Sequence, residues 1–72
     1  MKFKENNLPE EGQAVYIAGT ELQPNKISIA SYTDKPAESR GINEIGIVHI
    51  MKWEVFSSEE EAVNALIEKQ DL

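Results

Sequence analysis

The side chains best suited to chemistry in this sequence are carboxylates in runs, Glu10-Glu11 and Glu59-Glu60-Glu61, together with one imidazole, His49. Two carboxylates can divide acid and base roles in glycoside cleavage, but only when they oppose each other across a cleft. Adjacent residues of a strand or helix point in different directions, and 72 residues can hardly enclose such a cleft. A lone histidine without cysteine or a second ligand builds neither a nucleophilic triad nor a zinc site. Gly19-Thr20 and Gly41 lack the spacing and the following Lys-Ser/Thr of a phosphate loop. The reading is a chain that is not an enzyme, with no catalytic residue, no cofactor and no metal.

What the carboxylates do collectively is set the charge. Thirteen acidic against seven basic side chains leave a formal charge of -6, which opposes the phosphate attraction that dominates binding to nucleic acid and to anionic lipid. The expected partner is therefore a basic protein, with no direct nucleic acid and no membrane. Glu59, Glu60 and Glu61 have a structural reason to be where they are, because negative charge in a first helical turn is stabilised by the helix dipole. They could also join Glu68 and Asp71, or Glu10, Glu11 and Glu21, in one acidic face that imitates a row of phosphates. Trp53 reads first as core filler, but residues of its kind are enriched at interface hot spots. Tyr32 and Arg40 flank the most polar segment, and Arg40 would supply a directional donor there. The expected partner-binding residues are thus Glu59, Glu60, Glu61, Tyr32, Arg40 and Trp53.

These side chains must be positioned by few elements. Asn6 to Gly12 reads as a loop, with the domain proper starting near Gln13. Ala14 to Ala18 is short, β-branched and aromatic, a strand closed by Gly19. Gly19 to Asn25 is a hairpin-type connection from which Leu22 is placed to fold back onto the core. Lys26 to Tyr32 alternates Ile27 and Ile29 against Ser28 and Ala30, the period of a half-buried strand. Thr33 to Glu44 is a long exposed loop and a candidate contact surface. Ile45, Ile47, Met51, Trp53 and Val55 share one parity, which predicts a long, bent third strand at the centre of the sheet. His49 on its core-facing parity would need a partner such as Tyr32 or Tyr16. Ser57 and Ser58 meet Glu60 and Glu61 at the spacing of a capping box, followed by a helix whose Val63, Leu66 and Ile67, with Ala62, form an apolar stripe. The expected fold class is α+β, a small three-stranded, mostly antiparallel sheet with a C-terminal helix packed on one face.

Apolar residues at 40% with 28% charged residues are the balance of a folded chain, and the length has room for a single domain, residues 1–72. The first residues are not followed by an apolar run, so no signal peptide is expected. The longest apolar stretch, Ile45 to Met51, is far short of the roughly 20 residues that span a bilayer. The lack of cysteine fits a reducing compartment, and a cytoplasmic location is the expectation.

Leu8-Pro9-Glu10-Glu11-Gly12-Gln13 before Val15, then Ile27-Ser28-Ile29-Ala30-Ser31-Tyr32, then Val48-His49-Ile50-Met51 resemble a family of short, uncharacterised phage and prophage proteins. Members open with an LPEEGQ-like loop and tend to carry T-H-W-M-P-L-P in a third strand. This chain departs there, with Ile50 in place of the tryptophan, Lys52-Trp53 in place of proline and leucine, and an added C-terminal helix. The resemblance implies a phage origin and a host-directed binding role, such as inhibition of a host defence or nucleic-acid-binding protein. The alternative is a structural or assembly protein that forms a homodimer through strand edges.

Overall fold

In the computed structural model, which describes residues 1–70, the alternation of small and β-branched residues produces a hairpin at the centre of the fold. Strand β1 (Ala14–Ala18) pairs antiparallel with β2 (Ile27–Tyr32), Val15 opposite Ala30 and Ile17 opposite Ser28. The connection turns at Gly19, whose φ of +85° suits glycine; a Cβ there would also stand 2.6 Å from the carbonyl oxygen of Pro24. Leu22, expected to fold back onto the core, is instead 94% exposed at the tip of this turn.

The sheet has four strands in the order β3-β2-β1-β4, not three, and it is mixed. Strand β3 (Glu44–Ile45) runs parallel to β2, with Ile45 opposite Tyr32, while β4 (Val55–Phe56) runs antiparallel to β1, with Val55 opposite Ile17. The expected central strand over residues 45–55 does not exist. Its two ends become the strands on either side of the hairpin, and Ile47–Lys52 between them forms a short helix, α1. The parity that suggested one strand is real at Ile45 and Val55, both buried, but the residue α1 sends into the core is Ile50, of the opposite parity.

Register divides the sheet into two faces. Val15, Ile17, Ala30, Tyr32, Ile45 and Val55 share one face and form the core with Ile50 of α1, with Trp53 packed against it. Phe3 belongs to the same core, so the fold begins well before Gln13: Phe3 N–H donates to Val55 O at 2.8 Å and Ser57 N–H to Met1 O at 2.9 Å, extending the sheet past β4. Fully burying a side chain of this kind contributes roughly 1.5–3 kcal/mol.

The second face is covered in part by helix α2 (Glu59–Gln70), over Tyr16 and Ala18 of β1 and Phe56 of β4, while Ala14 and Ile29 on the same face stay exposed. This helix starts as expected: Ser58 Oγ accepts the Glu61 N–H at 3.4 Å and donates to Glu61 Oε2 at 3.0 Å. Its buried stripe is rotated from the expected one. Ala62 is fully buried and Ala65 and Leu66 are half-buried, while Val63 and Ile67 face outward. Small residues on α2 let it lie close against β1, and the Lys69 ammonium bonds Ala18 O at 3.0 Å at the far end.

The segment 33–44 is also more ordered than a free loop. Thr33 is fully buried, Ala37–Ser39 makes a 3-10 turn and Glu44 opens β3.

Candidate protein-binding surface

Two connections decide where the acidic side chains gather. Because β1 starts where β2 ends, Glu10 and Glu11, just before β1, lie at the same end of the sheet as Thr33 and Asp34, just after β2. Strand β4 runs toward that end, Phe56 lying opposite Tyr16, so α2 begins there as well and carries Glu59 and Glu60. The helix then runs back until Lys69 meets Ala18 at the opposite end of β1. Glu10, Glu11, Asp34, Glu59 and Glu60 thus lie toward one end of the sheet, drawn from three separate segments, with the Lys35 cation close enough to act on Glu11. Glu59 and Glu60 are exposed and form no ion pair among the described residues.

Glu61 stands apart from its two neighbours. Its carboxylate pairs with the N-terminal ammonium of Met1 and accepts from the Ser57 and Ser58 hydroxyls, and the ammonium first of all holds its pKa below the usual carboxylate range. It fastens the N-terminal strand residues to α2 rather than projecting a free charge.

Glu11 is the most strongly bound acid at this end. Its carboxylate shares a hydrogen bond with the Asp34 carboxyl, accepts from Thr33 Oγ1 at 2.7 Å and accepts from the Asp34 backbone N–H at 2.9 Å. Those bonds lower its pKa to about 2, and the same shared bond pushes Asp34 up, since two carboxyls this close favour one proton between them. Nearby, Gly41 N–H donates to Glu44 Oε1 at 2.6 Å and lowers the Glu44 pKa, with the Lys35 ammonium 3.5 Å from the same oxygen.

The remaining expected contact residues lie elsewhere. Tyr32 is buried in the core. Arg40 is half-buried, spends Nε–H on Lys35 O at 3.0 Å, and lies against Gly46, where an added Cβ would push its guanidinium aside. Trp53 is half-buried at the opposite end of the sheet, with its indole N–H donated to Glu21 Oε2 at 2.9 Å. Glu21 also pairs with Lys52 at 2.6 Å; the Lys52 bond, then its own backbone N–H, then the indole, bring its pKa to about 2. So Glu21 belongs to a different end from Glu10 and Glu11, and Asp71 falls outside the described residues.

His49 lies on α1, not on a strand, and neither tyrosine is its partner. Its Nδ1 accepts the Gly46 N–H at 3.4 Å and its ring sits 4.7 Å from that of Trp53. A surface groove of about 530 Å³ between α2 and β4 is lined by Phe56, Ala65, Glu54, Glu61, Glu68 and Lys69 among others. Its charges are largely answered internally, Glu54 by Lys69 at 3.4 Å and Glu61 by the N-terminus. No group of three or more acidic, histidine or cysteine side chains poised for a metal occurs among the described residues. Nor does any described helix have the length and apolarity to cross a membrane.

The sequence pointed to Glu10, Glu11, Glu59 and Glu60 but not to Asp34, nor to the buried Thr33 whose hydroxyl anchors Glu11. The available signal was the hairpin itself: acids flanking the start of one strand and the end of its antiparallel neighbour must meet. The chain matches no protein-family model, no curated protein and no solved structure.

Proposed function

We propose that this chain is a non-enzymatic protein-binding module whose acidic sheet end docks on the basic surface of another protein. The observation that supports it is the convergence of Glu10, Glu11, Asp34, Glu59 and Glu60 at one end of the sheet, with Glu59 and Glu60 free of ion pairs among the described residues. Like charges held together on a folded scaffold raise the local field and speed the encounter with a positive partner. In the reading that the phage-protein resemblance implies, the partner is a basic host protein in the bacterial cytoplasm, a defence or nucleic-acid-binding protein whose groove the carboxylates occupy in place of phosphate.

The alternative, a homodimer through strand edges, has less support. Strands β3 and β4 are two residues each, and the N-terminal residues already hydrogen-bond along β4.

The test is affinity capture from bacterial lysate at low and high salt, comparing the wild-type chain with a Glu10→Lys/Glu59→Lys/Glu60→Lys variant. Glu61 is left intact because it anchors the N-terminus. The expected result is a basic protein enriched by the wild type at low salt and lost with the variant. Equal capture by both, or capture of DNA, overturns the proposal.

A further inference from the structure

Helix α1 is six residues long and cannot be stable by itself, since a short helix does not repay its own nucleation. It is held by a reciprocal pair of bonds at its start: His49 N–H donates to Gly46 O at 3.1 Å, and Gly46 N–H donates back to His49 Nδ1 at 3.4 Å. The imidazole thus does what a Glu or Gln side chain does at the third position of a capping box. That bond requires a bare Nδ1, hence a neutral ring with its proton on Nε2. The charged groups acting on the ring come from three segments: Arg40 of the 33–43 connection and Lys52 of α1 itself, both cationic, and Glu21 of the β1–β2 connection. Trp53, which closes the helix by donating its N–H to His49 O at 2.9 Å, packs its tilted ring against the same imidazole.

We propose that His49 is an acid-sensitive latch: protonation breaks the Gly46 bond, adds a third cation beside Arg40 and Lys52, and releases α1 from the sheet. A proton on Nδ1 turns the acceptor into a donor aimed at another N–H. The move withdraws Ile50 from the core and parts Trp53 from the imidazole, while the β1–β2 hairpin stays paired. Partial burial first, then the two cations, hold the His49 pKa below its usual 6.5. For a base with a depressed folded pKa, the stabilisation is complete above 6.5 and is lost as the pH falls through the folded value.

Amide hydrogen exchange and NMR titration across this range test the latch. As His49 titrates, the Gly46 amide should shift and the Gly46 and Ile50 amides should lose protection, about tenfold for each pH unit that separates the folded from the unfolded His49 midpoint. Trp53 emission should change with the same midpoint. A His49→Gln variant, whose amide oxygen accepts from Gly46 at every pH, should show none of this. Three results overturn the proposal: a Gly46 amide indifferent to His49 titration, the same transition in His49→Gln, or loss of protection at Val15 in step with Gly46, which would mean global unfolding rather than release of α1.

Discussion

Trp53 donates its indole N–H to Glu21 across 2.9 Å, joining the β1–β2 turn to the end of α1 over 32 positions of sequence. Glu21 holds Lys52 with its other oxygen, so one exposed carboxylate organises the sheet end opposite the acidic one. A Glu21→Ala variant should keep the fold, because exposed ion pairs contribute little to stability. Its effect should be local, with faster exchange of the Trp53 indole proton by NMR. Unchanged exchange would show that this bond does not order the turn.

Phe3 is 2% exposed and shares the core with Val55 and Ile50. Phe3→Ala should therefore cost about 3–5 kcal/mol, a large part of the stability of a small domain. Urea unfolding measures it. A loss of less than about 1 kcal/mol would mean that the first residues do not belong to the folded unit.

Gly12 and Gly19 both have positive φ, 80° and 85°, but only Gly19 is crowded by backbone, at Pro24. Asparagine tolerates the left-handed conformation, so Gly12→Asn should lie within about 1 kcal/mol of wild type. Gly19→Asn must move the turn and should cost about 1–3 kcal/mol. Equal costs in thermal melts would contradict the steric assignment.

Acid stability carries a sign that can be worked out. Glu11 and Glu21, both near 2, and Glu44 and Glu61, also lowered, bind fewer protons folded than unfolded. Their contribution is complete above the ordinary value of 4.5 and is lost as the pH falls toward 2. Asp34, raised by its bond to Glu11, works in the opposite sense and is relieved on acidification. Denaturation at a series of pH values should show stability falling between these limits, modestly because these carboxylates are exposed and solvent-screened, and less so in Glu11→Gln/Glu21→Gln. The same slope in that variant would remove both carboxylates from the account.

The hairpin and α2 were legible because their signals are local: a period-two alternation in β2, a valine-isoleucine pair in β1, and a serine three residues before Glu61; the alternation gave the strand but not its buried face, which carries Ala30 and Tyr32 while Ile29 is exposed. Residues 45–55 misled because their apolar positions satisfy period two while the chain spends them on two short strands and a helix. Only Ile50, of the wrong parity for a strand, marked the helix, and the bond that secures its start comes from an imidazole, which no common capping pattern includes. The outward turn of Val63 and Ile67 follows from the partner surface, since alanines seat α2 against β1 more closely than branched side chains would. The acidic end was half legible: its members were visible, but their meeting depends on β4 returning beside β1, which the strand expected over 45–55 concealed.

The central claim is that carboxylates at one end of the sheet steer this chain onto a basic protein. Association kinetics with the captured partner over a range of salt, for the wild type and for Glu10→Gln/Glu59→Gln/Glu60→Gln, test it most directly. The account predicts an association rate that falls steeply with salt in the wild type and much less in the variant, with dissociation little changed. Identical salt dependence in the two proteins would contradict it.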